Sequence, residues 1–136
     1  MNQLDKESAE AEFNSMCEFF DIDTDTSDLD GDELETFERL KGKVVKALRK
    51  GTLTLGDGGQ PTYTTKAGTA MTFRLPNGAI LLTEVKGVGK NDGTGMRRMF
   101  SIIGELTGGV TSPAKLSLRD TGVLTSIVNL FLAELQ

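Results

Sequence analysis

Few residues of this chain have the chemistry that catalysis requires. The sequence contains no His, and its single Cys, Cys17, lies in a segment with helical spacing and no neighbouring base in sequence. After residue 38 the acidic residues are scattered one at a time, and we expect most of them in caps, turns or exposed helix positions. The sequence therefore favours a non-enzyme that needs no cofactor. The alternative that the fold brings two distant carboxylates together as a catalytic pair is left open.

The acid-rich stretch 21–35 invites a calcium-loop interpretation. When Gly31 is placed at the glycine that such a loop requires, Asp28 and Asp30 fall at ligand positions. The first ligand position then holds Thr26, and the twelfth, where a bidentate Glu is needed, holds Phe37. We therefore predict no specific metal site.

The glycine-rich stretch 87–95 follows a predicted strand and precedes a predicted helix, which is where a phosphate loop would lie. A Walker motif fails because Lys90 is followed by Asn91, and the dinucleotide fingerprint fails because Asp92 stands at its third glycine. A connecting loop is the better interpretation.

Charge divides the chain into two parts. Residues 1–38 carry fourteen acidic residues against one Lys, a net charge of −13, whereas residues 39–136 have a net charge of +8. Such asymmetry is typical of contact with a charged partner, or of an arm that contacts its own body. A solvated acidic segment explains the same charge equally well. The basic residues of 41–50 lack accompanying aromatics or a recognised module, so we predict no nucleic-acid partner.

Residues 1–30 are predicted to form an acidic amphipathic helix followed by a flexible linker. Apolar residues at helical spacing mark one narrow face of that helix: Ala9, Phe13, Met16, Cys17 and Phe20. Such a helix is poorly stable alone, so it should dock on the body or on a partner. Residues 21–30 have almost no apolar content, which is typical of a linker.

Residues 31–136 are predicted to form a single α+β domain. Asp30 and Glu33 form a capping pair that opens a helix over 31–50, which Gly51 ends. The hydrophobic period then changes from 3.6 to 2 over 52–86, which indicates strands, with a hairpin turn at 76–78. Over 94–135 the helical period returns, interrupted by glycines at 108 and 109 and restarted by a second capping pair, Ser117 and Asp120. We expect a small antiparallel sheet packed by these C-terminal helices.

The order of these elements resembles the Mu-like phage tail assembly chaperones over about 51–135. The following residues carry the resemblance: Arg74-Leu75-Pro76-Asn77-Gly78, Leu106-Thr107-Gly108, Ser112-Pro113-Ala114, Leu116, Leu118-Arg119-Asp120, Leu124, Val128 and Phe131. The resemblance implies a small factor of the bacterial host cytoplasm that binds the tail tape-measure protein and helps recruit tail-tube subunits. It brings no catalytic residue, and it does not include residues 1–30. The alternative is a prophage-encoded adaptor or regulatory domain with another protein partner.

Two apolar faces are the predicted partner-binding surfaces. The wide face of the last helix exceeds what one neighbour need cover, so we expect self-association or client contact there. The narrow face of the first helix is expected to fold back on the body and to be displaced when the client binds. The residues concerned are Leu124, Ile127, Val128, Phe131 and Leu135 on the last helix, and Phe13, Met16 and Phe20 on the first. No apolar run approaches the roughly 20 residues of a membrane helix, so we expect a cytosolic protein without a membrane partner.

Overall fold

The computed structural model describes residues 4–75, 102–109 and 116–132, and within them the chain forms four helices and a three-stranded antiparallel sheet. The predicted α+β class is confirmed. The elements are α1 (Lys6–Phe20), α2 (Gly31–Lys50), β1 (Leu53–Leu55), β2 (Pro61–Thr64), β3 (Ala70–Thr72), α3 (described over 102–107) and α4 (Leu118–Leu132). The predicted strand at 79–85, the turn at 76–78, the loop at 87–95, the Ser112-Pro113 restart and Leu135 lie outside the described residues.

α1 begins and ends with local hydrogen bonds that its sequence supplies. Asp5 is the N-cap, and its carboxylate accepts a hydrogen bond of 2.7 Å from the Ser8 N–H. At the C-terminal end Asp21 adopts a left-handed conformation with φ 59°, and its N–H bonds to the last turn. The buried residues of α1 are the five of the predicted narrow face: Ala9, Phe13, Met16, Cys17 and Phe20.

α2 spans Gly31–Lys50, the predicted range. The Glu33 N–H donates to Asp30 Oδ1 at 2.8 Å, and the Asp30 N–H donates to Glu33 Oε1 at 3.1 Å, which completes the capping box. Gly51 ends the helix with φ 81°. Acidic side chains lie in the first turn and basic ones in the last, so both ends complement the helix dipole.

The sheet has the order β1-β2-β3. β2 pairs with both neighbours, with Tyr63 opposite Leu53 on one side and opposite Met71 on the other. These three residues are buried, so one face of the sheet belongs to the core. Phe73, just after β3, is buried, whereas Leu75 is 58% exposed because the chain has left the sheet at that point.

One apolar core joins all these elements. Phe20 of α1 lies at its centre, with its ring centroid 6.0 Å from that of Phe73 and 5.4 Å from that of Phe131 on α4. The Arg74 N–H donates to the Leu106 carbonyl at 2.8 Å, which ties the chain after β3 to α3. The first and last helices therefore meet in the same core.

The segment between α1 and α2 contains a series of local turns. The Asp25 N–H donates to Asp23 Oδ1 at 2.9 Å, and the Ser27 N–H donates to Asp25 Oδ1 at 3.0 Å. Ile22 is buried in the core. The predicted flexibility of this segment stays a prediction.

Candidate functional site

The structure places the predicted partner-binding residues in the core. In α4, Leu124, Ile127 and Val128 are fully buried, and Phe131 is 5% exposed. In α1, Phe13 and Met16 are fully buried, and Phe20 is 4% exposed. The two sets are brought together, since Phe20 and Phe131 are in contact.

These residues are buried because other elements of the same chain cover both helices, which the width of an apolar face does not predict. α4 is covered by α2 as well as by the neighbouring elements, and α1 is covered by α2 and by the 3-10 turn Asp57–Gly59. In this conformation none of the described residues of the two apolar faces is free for a partner. The predicted partner contact through these residues stays a prediction, and it would require the core to open.

The Asp120 carboxylate accepts hydrogen bonds from three other residues, although the sequence identified Asp120 only as a cap. It does close the second capping box, because the Asp120 N–H donates to Ser117 Oγ at 3.0 Å and the Ser117 N–H donates to Asp120 Oδ2 at 3.2 Å. Its carboxylate also accepts hydrogen bonds from the Tyr63 hydroxyl at 2.7 Å and from the Lys66 N–H at 3.1 Å. Asp120 therefore fixes the start of α4 to β2 and to the turn that follows it.

The titration of this pair follows from burial and hydrogen bonding together. Burial on its own would raise the pKa of Asp120, which is 2% exposed, but the hydrogen bonds from Tyr63, Lys66 and Ser117 outweigh it and lower the pKa. Burial, together with the hydrogen bond to Asp120, raises the pKa of Tyr63. In the favoured protonation state, the Asp120 carboxylate is ionised and accepts a hydrogen bond from the neutral Tyr63 hydroxyl. This hydrogen bond connects α4 to β2.

A basic cleft lies between the last turns of α2 and the first turns of α4, with a volume of about 190 Å³. We use this name for the surface formed by four cationic side chains, Lys43, Lys46, Lys50 and Arg119, over a floor of Ala47, Thr52, Gly122 and Val123, with Leu118 at its edge. Gly122 leaves room for Lys43, whose Nζ lies 3.7 Å from the place a Cβ would take. The cleft therefore offers positive charge around a partly apolar floor.

The cations of the basic cleft repel one another. The positive charges of Lys46 and Arg119 lower the pKa of Lys50, and desolvation adds to the effect. Within residues 4–75, 102–109 and 116–132, the ion pair that forms is Lys41–Glu10 at 3.8 Å, outside the cleft. An anionic group that entered the cleft would relieve this repulsion.

An acidic groove lies at the opposite end of the α2–α4 pair, with a volume of about 570 Å³. Five carboxylates surround it, those of Asp23, Asp25, Asp28, Asp32 and Glu33. Its floor is apolar and consists of Ile22, Leu29, Phe37, Leu40 and Leu130. The groove therefore suits a partner that presents an apolar side chain flanked by cations.

The described residues contain no group of three or more acidic or Cys side chains positioned to hold a metal ion. Cys17 is buried in α1 and belongs to the core.

Sequence reasoning could have found three of the four cations of the basic cleft. Lys43, Lys46 and Lys50 are spaced by three and four residues, which places them on one face of α2. Arg119 is 69 residues from Lys50 in sequence, and no local pattern links it to that face. The contact between Asp120 and Tyr63 was missed for the same reason, since 57 residues separate them.

No family model, no curated protein and no solved structure matches the chain. Among the described helices, none combines the length and the apolar character that crossing a membrane requires.

Proposed function

We propose that this chain is a non-catalytic phage tail assembly chaperone, which binds the tape-measure protein and helps recruit tail-tube subunits in the host cytoplasm. The proposal rests on the resemblance over residues 51–135 to the Mu-like tail assembly chaperones. Several of the described residues that carry that resemblance have definable structural roles, and these roles support the proposal.

The observation that carries the proposal is the structural role of Asp120, the last residue of the Leu118-Arg119-Asp120 run. Asp120 connects the start of α4 to β2, and Leu124, Val128 and Phe131 then bury the face of α4 in the core. Leu106 accepts a hydrogen bond from Arg74, and Gly108 ends the preceding helix with φ 75°. These described residues of the resemblance thus connect α3 and α4 to the rest of the fold.

Client binding is expected on surfaces that the fold leaves exposed. Displacing α1 would expose five buried apolar side chains at roughly 1.5–3 kcal/mol for each large one, on the order of 10 kcal/mol together. That is comparable to the whole stability of a small domain, about 5–15 kcal/mol. A client that binds the basic cleft or the acidic groove avoids this cost.

The proposed function is tested by co-expressing the full chain with the tape-measure protein of the same phage or prophage. We expect the tape-measure protein to remain in the soluble fraction and to co-purify with this chain. The matched control replaces this chain by a small helical protein of similar net charge. Equal precipitation of the tape-measure protein with either partner would overturn the proposal.

The second candidate is a prophage-encoded adaptor or regulatory domain that binds another protein. One observation favours it: α1 and α2 supply part of the core, yet both precede the residues that carry the resemblance. Gene neighbourhood separates the two candidates. A tape-measure gene directly downstream supports the chaperone, and its absence supports the adaptor.

A further inference from the structure

The basic cleft and the acidic groove lie towards opposite ends of the same two helices. The cleft is formed by the last turns of α2 and the first turns of α4, whereas the groove is lined by the first half of α2 and by Leu130 near the end of α4. The two surfaces are complementary, with four cations on one and five carboxylates on the other.

These two surfaces cannot neutralise each other within one molecule. Glu33 and Lys43, the closest groove and cleft charges along α2, are ten residues apart, which separates them by roughly 15 Å along the helix axis. At physiological ionic strength the Debye length is about 8 Å, so attraction over this distance is largely screened. The complementarity has an effect only when a second molecule brings the opposite surface into contact.

An apolar contact accompanies the charges. Leu118, at the edge of the basic cleft and directly before Arg119, is 94% exposed. The acidic groove has an apolar floor that includes Leu130 and the half-buried Phe37. A protruding leucine flanked by cations therefore matches a groove with an apolar floor and a carboxylate rim.

We propose that two copies of this chain associate head to tail, with Leu118 and the basic cleft of one copy docked in the acidic groove of the next. The contact is heterologous, because the two surfaces on each copy are different. Each pair therefore keeps one free basic cleft and one free acidic groove, so association continues into rings or open chains as concentration rises. The contact does not depend on the identity of any client.

Neutralising either surface tests this contact. The cleft variant is Lys46→Gln with Arg119→Gln, and the groove variant is Asp28→Asn with Asp32→Asn; all four side chains are exposed. Each variant should weaken self-association by about tenfold, since two exposed charge pairs are lost. Sedimentation velocity over a concentration series gives the association constant, and circular dichroism verifies that each variant stays folded.

Matched controls change the net charge equally at exposed positions outside both surfaces. Arg39→Gln with Lys66→Gln is the control for the cleft variant, and Glu7→Gln with Glu18→Gln is the control for the groove variant. The controls should associate as the unchanged chain does. If a control weakens association as much as its matched variant, net charge alone is responsible and the proposed contact is wrong.

The apolar part of the contact has its own pair of variants. Leu118→Ala should weaken self-association, whereas Leu75→Ala, at another exposed leucine, should leave it unchanged. Raising the salt from about 0.1 M to about 1 M shortens the Debye length from about 10 Å to about 3 Å, so the association should weaken without disappearing. Equal effects of the two leucine variants would contradict the proposal.

Mixing the cleft variant with the groove variant is the decisive experiment. The cleft variant keeps an intact acidic groove, and the groove variant keeps an intact basic cleft, so these two surfaces can bind each other. The remaining cleft and the remaining groove are impaired by the substitutions. The equimolar mixture should form a 1:1 dimer at a concentration where each variant alone is a monomer. A mixture that stays monomeric would overturn the proposal, and so would an unchanged chain that is a monomer at high micromolar concentration. Either result would indicate that the basic cleft binds an acidic partner other than a second copy of this chain.

Discussion

α1 and α4 have very different compositions, yet both bury their apolar faces in one core. Four of the fifteen residues of α1 are Glu, whereas α4 has a single acidic residue, Asp120. α1 buries five residues along a narrow face, and α4 buries a wider one. The size of the side chains and the elements that cover them therefore decide whether a helix belongs to the core. The width of the apolar face does not.

The largest expected effect comes from removing a large buried side chain in either helix. Phe13→Ala in α1 and Ile127→Ala in α4 should each lower the free energy of unfolding by about 3–5 kcal/mol, because both side chains are fully buried. Urea unfolding followed by circular dichroism gives the two values. If Phe13→Ala costs less than about 1 kcal/mol while Ile127→Ala costs the expected amount, α1 is not part of the core.

The next effect distinguishes two capping boxes. Asp120→Ala should cost about 3 kcal/mol, because the buried Tyr63 hydroxyl and two partly buried N–H groups, those of Lys66 and Ser117, lose their acceptor. Asp30→Ala, in the exposed capping box of α2, is the matched control and should cost about 1 kcal/mol. Equal losses in the two variants would mean that water replaces the buried acceptor. Both are measured by urea unfolding at neutral pH.

A smaller effect tests the contact of α1 with the 3-10 turn. Gly59 has φ 88°, and a Cβ there would overlap the carbonyl of Ser15 in α1. Gly59→Ala should therefore cost about 2 kcal/mol or more. Gly68→Ala is the matched control, since Gly68 has φ 91° with no atom near the added Cβ, and it should cost about 1 kcal/mol. Thermal or urea unfolding gives the free energy that each variant loses. The loss in Gly59→Ala minus the loss in Gly68→Ala measures the contact with α1, and equal losses would contradict that contact.

How far the sequence predicts this fold depends on the distance over which each signal acts. The spacing of Phe13, Met16 and Phe20 identified the buried face of α1, and Asp30 with Glu33 identified the start of α2, because both signals are local. The narrow apolar face of α1 was expected to fold back on the body, but the elements that cover it, α2 and the 3-10 turn, could not be identified, since no local signal specifies them. For the candidate site, the three lysines of the cleft were visible on α2, but Arg119 required the packing of α4.

The smallest expected effect is the dependence of stability on acid. The pKa of Asp120 is lower in the folded state than its ordinary value of about 3.9. Its contribution to stability is therefore present above the unfolded pKa and is lost as the pH falls through the folded pKa. Urea unfolding between about pH 6 and pH 2.5 should show a shallower decline for Asp120→Asn than for the unchanged chain. Identical slopes would contradict the assigned role of this carboxylate.

Amide hydrogen exchange in the full chain tests most directly whether α1 is an integral part of the core. The Met16 and Cys17 amides of α1 should exchange with the same opening free energy as those of Ile127 and Val128 in α4, because all four residues belong to one buried cluster. That common value should equal the free energy of global unfolding. If the α1 amides exchange through an opening that costs about 3 kcal/mol less than the opening of α4, α1 is a detachable arm and does not belong to the cooperative core.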